Sequence, residues 1–313
     1  MTDATTPVPP TPAAAGAPAA GERTDVIHDI GFRHYDGPRF GRGWIVRTLL
    51  LDTVRGVFGI GRPARSKVMP WALVGILAVP PIVIGLVSLL TGDDEPPISY
   101  TQYLSQLQIV FSLFVALAAP YAVSRDLRHG VLPLYLSRPM RRTDYVAARY
   151  AGVTIALFAV MALPQTLLMV AALLAELPAD DQFVGWAGGL LASLLLAVLL
   201  AAVGLAIAAF TPRRGLGVAA IITILTVVTG MSFALSGIAL GQDLPDLAVL
   251  GGAIDPYRLV DGLAVWFLGV DATIPEFAPT TAGQAGVLAA VYVVAVAFFG
   301  GLLLQRYRKA GRL

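Results

Sequence analysis

The sequence predicts an all-α integral membrane protein with six membrane-spanning helices. Of its 313 residues, 57% are apolar and only 13% are charged, whereas a soluble domain has about 25% charged residues. The apolar residues form six runs of about 20 residues or more, each long enough to cross a hydrocarbon core about 30 Å thick. None of the runs carries a charge near its middle. The predicted spans are 69–91, 103–124, 145–175, 184–210, 216–240 and 282–304.

The distribution of cationic residues predicts the orientation of these spans. All but one of the 22 Lys and Arg residues lie in segments 1–68, 125–149, 213–214 and 305–313, and the exception is Arg258. Lys and Arg are enriched in cytoplasmic connections of membrane proteins. Both termini are therefore predicted to be cytoplasmic.

Two regions are predicted to precede the six-span domain 69–313. Residues 1–40 should be an irregular or disordered tail, because their first half is rich in Pro and Ala and offers little apolar surface to bury. Residues 41–68 should comprise an amphipathic helix at about Arg42–Gly59 and a linker. A basic helix of this kind is typical of the membrane interface. The alternative is an amphipathic helix packed on the protein itself.

Several chemical functions are excluded by what the sequence lacks. A P-loop needs a Lys after a Gly-rich turn, and neither Lys67 nor Lys309 follows a glycine. Cys is absent, no HExxH or GxSxG pattern occurs, and the spans have no ionisable group near mid-depth. We therefore expect no catalytic residue, no metal or cofactor bound by this chain and no nucleic-acid partner.

The most informative segment, 121–152, connects the second and third spans. A short amphipathic piece between charged residues predicts a stiff helical elbow at the cytoplasmic surface. Pro139 should end its short helix, and Thr143 or Asp144 should cap the next one. The residues predicted to contact a partner are Arg125, Asp126, Arg128, Gly130, Leu134, Leu136, Ser137, Arg138, Pro139 and Arg142.

The order of these residues resembles the permease subunits of ABC-2 type exporters. That family has an acidic–basic stretch, then Gly-Thr, leucines, a small residue, Pro and a basic residue before its third span. This sequence departs from the pattern at Asp126, where Glu is commoner, at Val131, where Thr is usual, and at Pro133 within the leucines. An ordinary positively charged loop is the alternative interpretation.

A second resemblance lies between the fifth and sixth spans, where the family often has a Pro-led amphipathic hairpin. The segment 254–269 is predicted to be a helix or re-entrant hairpin in the outer leaflet. Its candidate functional residues are Asp255, Pro256, Arg258 and Asp261. Asp255 should cap a helix, and Arg258 and Asp261 should pair on one helix face and hold a lid over an exit path. The alternatives are an exposed pair and a surface helix without a special role.

Two further patterns involve small and polar residues. The fourth span carries a small residue at every fourth position, which suits close packing inside the chain or against another subunit. The fifth span carries a stripe of Ser and Thr, which either bonds its own preceding carbonyls or faces a substrate. The small residues are Gly185, Gly189, Ser193, Ala197 and Ala201, and the stripe is Thr223, Thr226, Thr229, Ser232 and Ser236.

The resemblance implies the permease subunit of an ATP-driven transporter, an exporter in the bacterial plasma membrane. Its implied partners are a separate P-loop ATPase subunit that holds ATP and Mg²⁺, a second permease subunit, alike or different, and the lipid bilayer. One alternative is a multi-pass assembly or scaffold protein without transport. A secondary transporter is a weaker alternative, since the spans lack central charges. The transported substrate is not predicted.

Overall fold

The computed structural model describes residues 37, 40–91, 98–131, 134–135, 137, 139–211 and 213–310, without the side chains of Arg125 and Ala310. The predicted tail 1–40 therefore lies almost wholly outside the described residues. The α-helices with defined bounds are α1 Arg42–Val57, α2 Arg65–Thr91, α3 Tyr100–Gln106, α4 Gln108–Arg128, α5 Arg142–Leu174, α6 Ala179–Phe210, α7 Arg214–Gly241, α8 Pro245–Leu250, α9 Pro256–Leu268 and α10 Ala282–Ala310. Two 3₁₀-helices, Gly251–Ile254 and Pro275–Phe277, flank α9.

Six of these helices, α2, α4, α5, α6, α7 and α10, are long and apolar enough to cross a membrane. At 1.5 Å per residue, the 33 residues of α5 extend about 50 Å. This length exceeds a hydrocarbon core of about 30 Å, so the ends of α5 would project into the headgroup layers.

The second predicted span, 103–124, is interrupted and shifted in the structure. Ser99 begins the separate helix α3, because its side chain accepts a hydrogen bond from the Gln102 amide and the Gln102 side chain accepts one from the Ser99 amide, both at 3.2 Å. This reciprocal cap is a strong local start signal. The chain leaves the helix at Leu107 and re-enters it as α4, which continues to Arg128. A window of apolar residues does not detect such a break.

Helix α6 is the centre of the bundle. It packs against α3, α4, α5, α9 and α10, and its small residues permit the close approach. A Cβ on Gly189 would lie 2.6 Å from the Tyr100 Cβ, and one on Gly204 would lie 2.7 Å from Val115 Cγ1. Ser193, Ala197 and Ala201 are also fully buried. The small-residue seam of the fourth span is therefore used for packing inside the chain.

Helix α1 lies against α5 and α4 on one side. The crossing with α5 is close, since a Cβ on Gly152 would lie 2.7 Å from the Thr53 Cβ. Its other side exposes Trp44 and Leu51 together with the cationic Arg47 and Arg55. The helix predicted at Arg42–Gly59 therefore forms, and it packs on the protein while leaving an amphipathic surface uncovered.

The connection between α7 and α10 is mostly helical. Asp255 is the N-cap of α9, as predicted, and its carboxylate accepts a hydrogen bond from the Tyr257 amide at 3.4 Å. Pro256 follows as the first helical residue, where it needs no backbone hydrogen bond. The 13 residues of α9 are too few to cross a membrane, and they pack against α6 and α10.

Candidate functional site

The connection between α4 and α5, named here the elbow (residues 129–141), begins with a helix stop at Gly130. This glycine has a φ of 60°, in the left-handed region, and the Val131 amide bonds the Asp126 carbonyl at 3.2 Å. The bond closes the last turn of α4 as a Schellman motif. Gly130 is thus required by backbone geometry, and it sets the direction in which the elbow leaves α4.

The described residues of the elbow present a largely exposed surface. Leu134 is helical and 71% exposed, and Ser137 donates a hydrogen bond to its carbonyl at 2.8 Å. Ser137, Pro139 and, at the end of α4, Arg128 are also exposed. The candidate residues Leu136 and Arg138, like Pro133, lie outside the described residues. A short helix in the elbow is therefore described only at Leu134 and Tyr135.

Helix α5 starts two or three residues earlier than the predicted cap at Thr143 or Asp144 implies. Arg141, not Thr143 or Asp144, occupies the N-cap position. Asp144 is the third helical residue, and its carboxylate reaches back to the Arg141 amide at 2.9 Å. From this position it also accepts two hydrogen bonds, at 2.7 and 2.5 Å, from Arg42 of α1. The cap prediction was wrong because an acidic residue in the first turn can satisfy free amides without being the N-cap.

A second contact joins the start of α5 to the end of α10. Arg142 Nη1 donates a hydrogen bond to the Arg308 carbonyl at 3.3 Å. The elbow therefore ends at a helix start that is bonded to both α1 and α10. Arg142 was predicted to face a partner, and here one of its donors contacts the protein itself.

The chemical centre of this end of the bundle is a charged cluster around Arg149, which is only 5% exposed. Its guanidinium contacts Asp126 of α4 at 2.6 Å, Thr53 of α1 at 3.0 Å and Asp52 of α1 at 3.5 Å. Tyr145 donates a further hydrogen bond to the Asp126 carboxylate. We name these five residues the Arg149 cluster. A buried charge needs such pairing, and here the pairing ties α1, α4 and α5 together.

Aromatic side chains surround the cluster. The Tyr145 ring lies 5.3 Å, centroid to centroid, from the rings of both Tyr135 in the elbow and Tyr307 in α10. Tyr307 is almost fully buried. The elbow, α1, α4, α5 and α10 therefore share one packed, polar-centred junction.

Among the predicted partner-contacting residues whose side chains the structure describes, Asp126, near the end of α4, is the one that lies within this cluster. Sequence analysis counted Arg149 among the basic residues of one membrane face and gave it no role. Asp126 and Arg149 are 23 residues apart, with the elbow between them. The one available signal was a single Arg inside an otherwise apolar span, which usually needs a partner.

A second cluster lies in the connection between α7 and α10. Arg258 of α9 donates hydrogen bonds to the hydroxyls of Ser232 at 2.7 Å and Ser236 at 2.8 Å, both on α7. Its guanidinium also lies 4.2 Å from the ring centroid of Phe277. The polar stripe of α7 therefore binds this connection, because Ser232 and Ser236 in turn donate to carbonyls of residues 251 and 248.

The predicted ion pair between Arg258 and Asp261 is absent from the described residues. Asp261 instead accepts hydrogen bonds from the hydroxyl of Thr273 at 2.7 Å and from its amide at 3.3 Å. The pairing hypothesis was wrong because both side chains are partly buried and find partners on other elements. Burial raises the pKa of Asp261, and likewise that of the N-cap Asp255.

One polar contact lies deep among the long helices. Gln165 of α5 is fully buried and donates a hydrogen bond to the Ser193 hydroxyl of α6 at 2.7 Å. Its carbonyl oxygen has no hydrogen-bond partner among the described residues. Across the same part of the chain, no three His, Asp or Glu side chains are grouped so that they could hold a metal ion.

Two comparisons with known proteins found no match. No protein-family model matches the chain, and no curated protein is significantly similar to it in sequence.

Proposed function

We propose that this chain is the membrane-spanning permease subunit of an ATP-driven, ABC-2 type exporter, and that ATP hydrolysis occurs on a separate subunit. The observation that carries the proposal is the elbow. It exposes Leu134 at its surface, and both of its ends are anchored in helices that meet at the Arg149 cluster. An exposed leucine on a rigidly anchored connection suits insertion into a groove of a partner protein.

The anchoring supplies a route for mechanical coupling. The Asp126 carboxylate and the Arg149 guanidinium are 2.6 Å apart and largely buried. Separating them would leave two charges unpaired away from water, so we expect them to stay together when the elbow is pushed. A displacement of the elbow would then move the end of α4, the start of α5 and, through Thr53 and Asp52, helix α1. When the ATPase closes, it would push the elbow, and the ends of α4, α5 and α1 would move with it.

The remaining features of the proposal concern the membrane. The most apolar windows of α7 and α10 are only 17% and 11% buried within the chain. These faces would contact lipid and a second permease subunit, alike or different. The cationic ends of the helices would lie on the cytoplasmic side of a bacterial plasma membrane, in accordance with the distribution of Lys and Arg.

A secondary transporter is the second candidate, and it is favoured by one observation. Asp255, Arg258 and Asp261 are ionisable groups with limited solvent access near α7, and such groups bind coupling ions in transporters of that class. The proposed ABC-2 function requires a P-loop ATPase partner, whereas a secondary transporter or a scaffold protein does not.

The test is copurification of the full-length chain from its native membranes, followed by identification of its partners. We expect a P-loop ATPase, and we expect Leu134→Ala to reduce its recovery by about 30-fold, which corresponds to loss of an anchor worth about 2 kcal/mol. Ile109→Ala is the matched control, because Ile109 is also highly exposed and lies at the end of α4 that is far from the elbow. Recovery without any ATPase, or unchanged recovery with Leu134→Ala, would overturn the proposal.

A further inference from the structure

A polar cavity of about 330 Å³ lies beside the Arg149 cluster. This volume falls at the lower end of the range of about 300–1,000 Å³ that ligand pockets occupy. Its walls come from α1, from the loop that follows α1, from the elbow, and from the adjoining parts of α4 and α5. The lining residues that matter here are Asp52, Ile60, Arg62, Tyr121, Asp126 and Arg149.

Arg62 places a cationic group at this cavity, and among the described residues this group has no anionic partner. Its guanidinium stacks on the Tyr121 ring at 3.8 Å from the centroid, which fixes the plane of the group. Its side-chain N–H groups have no acceptor among the described residues. The loop that carries Arg62 turns at Gly59 and Gly61, which have φ values of 69° and 81°. The backbone is therefore shaped to hold this arginine against Tyr121.

Asp52 places a carboxylate at the same cavity, and this carboxylate is largely exposed and only loosely paired. Its side chain is 63% exposed, and its one ion pair in the described residues is with Arg149 at 3.5 Å. Arg149 is held more closely by Asp126, at 2.6 Å. The four charged side chains of the lining sum to zero, with Arg62 and Asp52 left to bind a ligand that carries both signs.

The depth of the cavity in the bundle indicates where that ligand comes from. Because α5 is about 50 Å long, about 10 Å at each end would project beyond a centred hydrocarbon core. Arg149, seven residues from the start of α5, lies at that boundary. The apolar side chains of Ile60, Val68 and Trp71 are exposed on the loop and on the start of α2. A molecule with a charged head and apolar chains matches this surface.

We propose that the cavity binds the headgroup of a phosphatidylethanolamine lipid, with the phosphate on Arg62 and the primary ammonium on Asp52. A guanidinium binds phosphate oxygens through paired N–H donors, and a primary ammonium donates hydrogen bonds to a carboxylate. A choline headgroup has no N–H to donate, and a phosphoglycerol headgroup carries no cation for Asp52. The site requires a membrane but does not depend on the proposed transport function.

The first arm of the test compares headgroups on the full-length protein. The purified chain in detergent is titrated with phosphatidylethanolamine, phosphatidylcholine or phosphatidylglycerol of identical acyl chains, and bound lipid is counted by native mass spectrometry. We expect phosphatidylethanolamine to bind at least about tenfold more tightly than either competitor. Equal binding of phosphatidylcholine would overturn the proposal. Competition by free phosphoethanolamine or inorganic phosphate as strong as by the lipid would also overturn it, in favour of a water-soluble ligand.

The second arm uses variants. Arg62→Gln should weaken phosphatidylethanolamine by about tenfold or more, through loss of the charged donor to phosphate. Asp52→Asn should reduce its binding to the level of phosphatidylcholine without weakening phosphatidylglycerol. The control is Arg65→Gln, an exposed arginine at the first residue of α2 that does not line the cavity. An equal effect of Arg65→Gln would indicate general surface charge and would overturn the assignment.

Discussion

The two polar clusters of this protein each contain a buried or partly buried arginine, and the groups that bind the arginine differ between them. Arg149 is paired with carboxylates and bridges three helices at one end of the bundle. Arg258 contacts two serine hydroxyls and an aromatic face, and its Nη2 atom is buried with no hydrogen-bond partner among the described residues. A paired charge is costly to break, whereas an arginine held by neutral groups keeps an incompletely satisfied donor. The first arrangement acts as a clamp, and the second leaves the connection easier to displace.

The largest expected effect comes from breaking the clamp. Arg149→Met should lower the apparent free energy of unfolding in mixed detergent micelles by about 3–5 kcal/mol, because the Asp126 carboxylate, which is only 13% exposed, loses its cationic partner. Arg128→Met is the control, since Arg128 is exposed at the end of the same region, and it should change the stability by no more than about 0.5 kcal/mol. Equal effects of the two variants would contradict the clamp.

A double variant tests whether the loss arises from the unpaired charge. Arg149→Met combined with Asp126→Leu should recover part of the stability lost in Arg149→Met, because replacing a buried ion pair by apolar residues is often close to neutral. A double variant less stable than Arg149→Met alone would show that Asp126 stabilises the fold through Tyr145 instead.

A smaller effect is expected for the second cluster. Arg258→Met should cost about 1–3 kcal/mol, because hydrogen bonds from a charged donor are lost but no paired carboxylate is left behind. Asp261→Asn keeps an acceptor for Thr273, so its effect should stay below about 1 kcal/mol. If Asp261→Asn lowers the stability as much as Arg258→Met does, the result would indicate that Arg258 and Asp261 form an ion pair, which they do not form among the described residues.

A substitution that changes the backbone of the elbow should lower the stability by a still smaller amount. Gly130→Ala places a Cβ in the left-handed region and should cost about 1–2 kcal/mol. Gly286→Ala in α10 is the matched control, since a Cβ there meets nothing within 4 Å and alanine is favoured over glycine within a helix by about 0.5–1 kcal/mol. The two Gly→Ala changes should therefore shift the unfolding midpoint in opposite directions.

The sequence predicts correctly those features of the fold that depend on neighbouring residues, or on the length and hydropathy of a single segment. Six long apolar helices follow from runs of about 20 residues or more. The N-cap role of Asp255 follows from its place directly before Pro256. The helix at Arg42 follows from the clustering of its apolar residues. Each of these features depends only on residues that are close together in the sequence.

Features that depend on distant residues could not be predicted. Asp126 and Arg149 pair across the elbow, and Arg258 binds serines 22 and 26 residues earlier in the chain. The break at Leu107 and the start of α5 at Arg142 depend on which of several competing caps forms. The partners of a buried arginine are set by the packing of helices, and a single sequence does not record that packing.

The smallest expected effect is a pH dependence of the connection around α9. Burial raises the pKa of the Asp255 carboxyl in the folded protein. A group with a raised folded-state pKa contributes stability that is present at low pH and is lost as the pH rises through that pKa. The stability of the protein should therefore fall, relative to Asp255→Asn, as the pH rises above the ordinary pKa of an aspartate and through the raised pKa of Asp255. The Asn variant retains an N-cap acceptor but cannot ionise. Unfolding titrations of both proteins across this range test the sign. A difference that grows in the opposite direction would mean that the Asp255 carboxylate is stabilised by Thr229, Tyr257 and Arg258 more than its burial disfavours it.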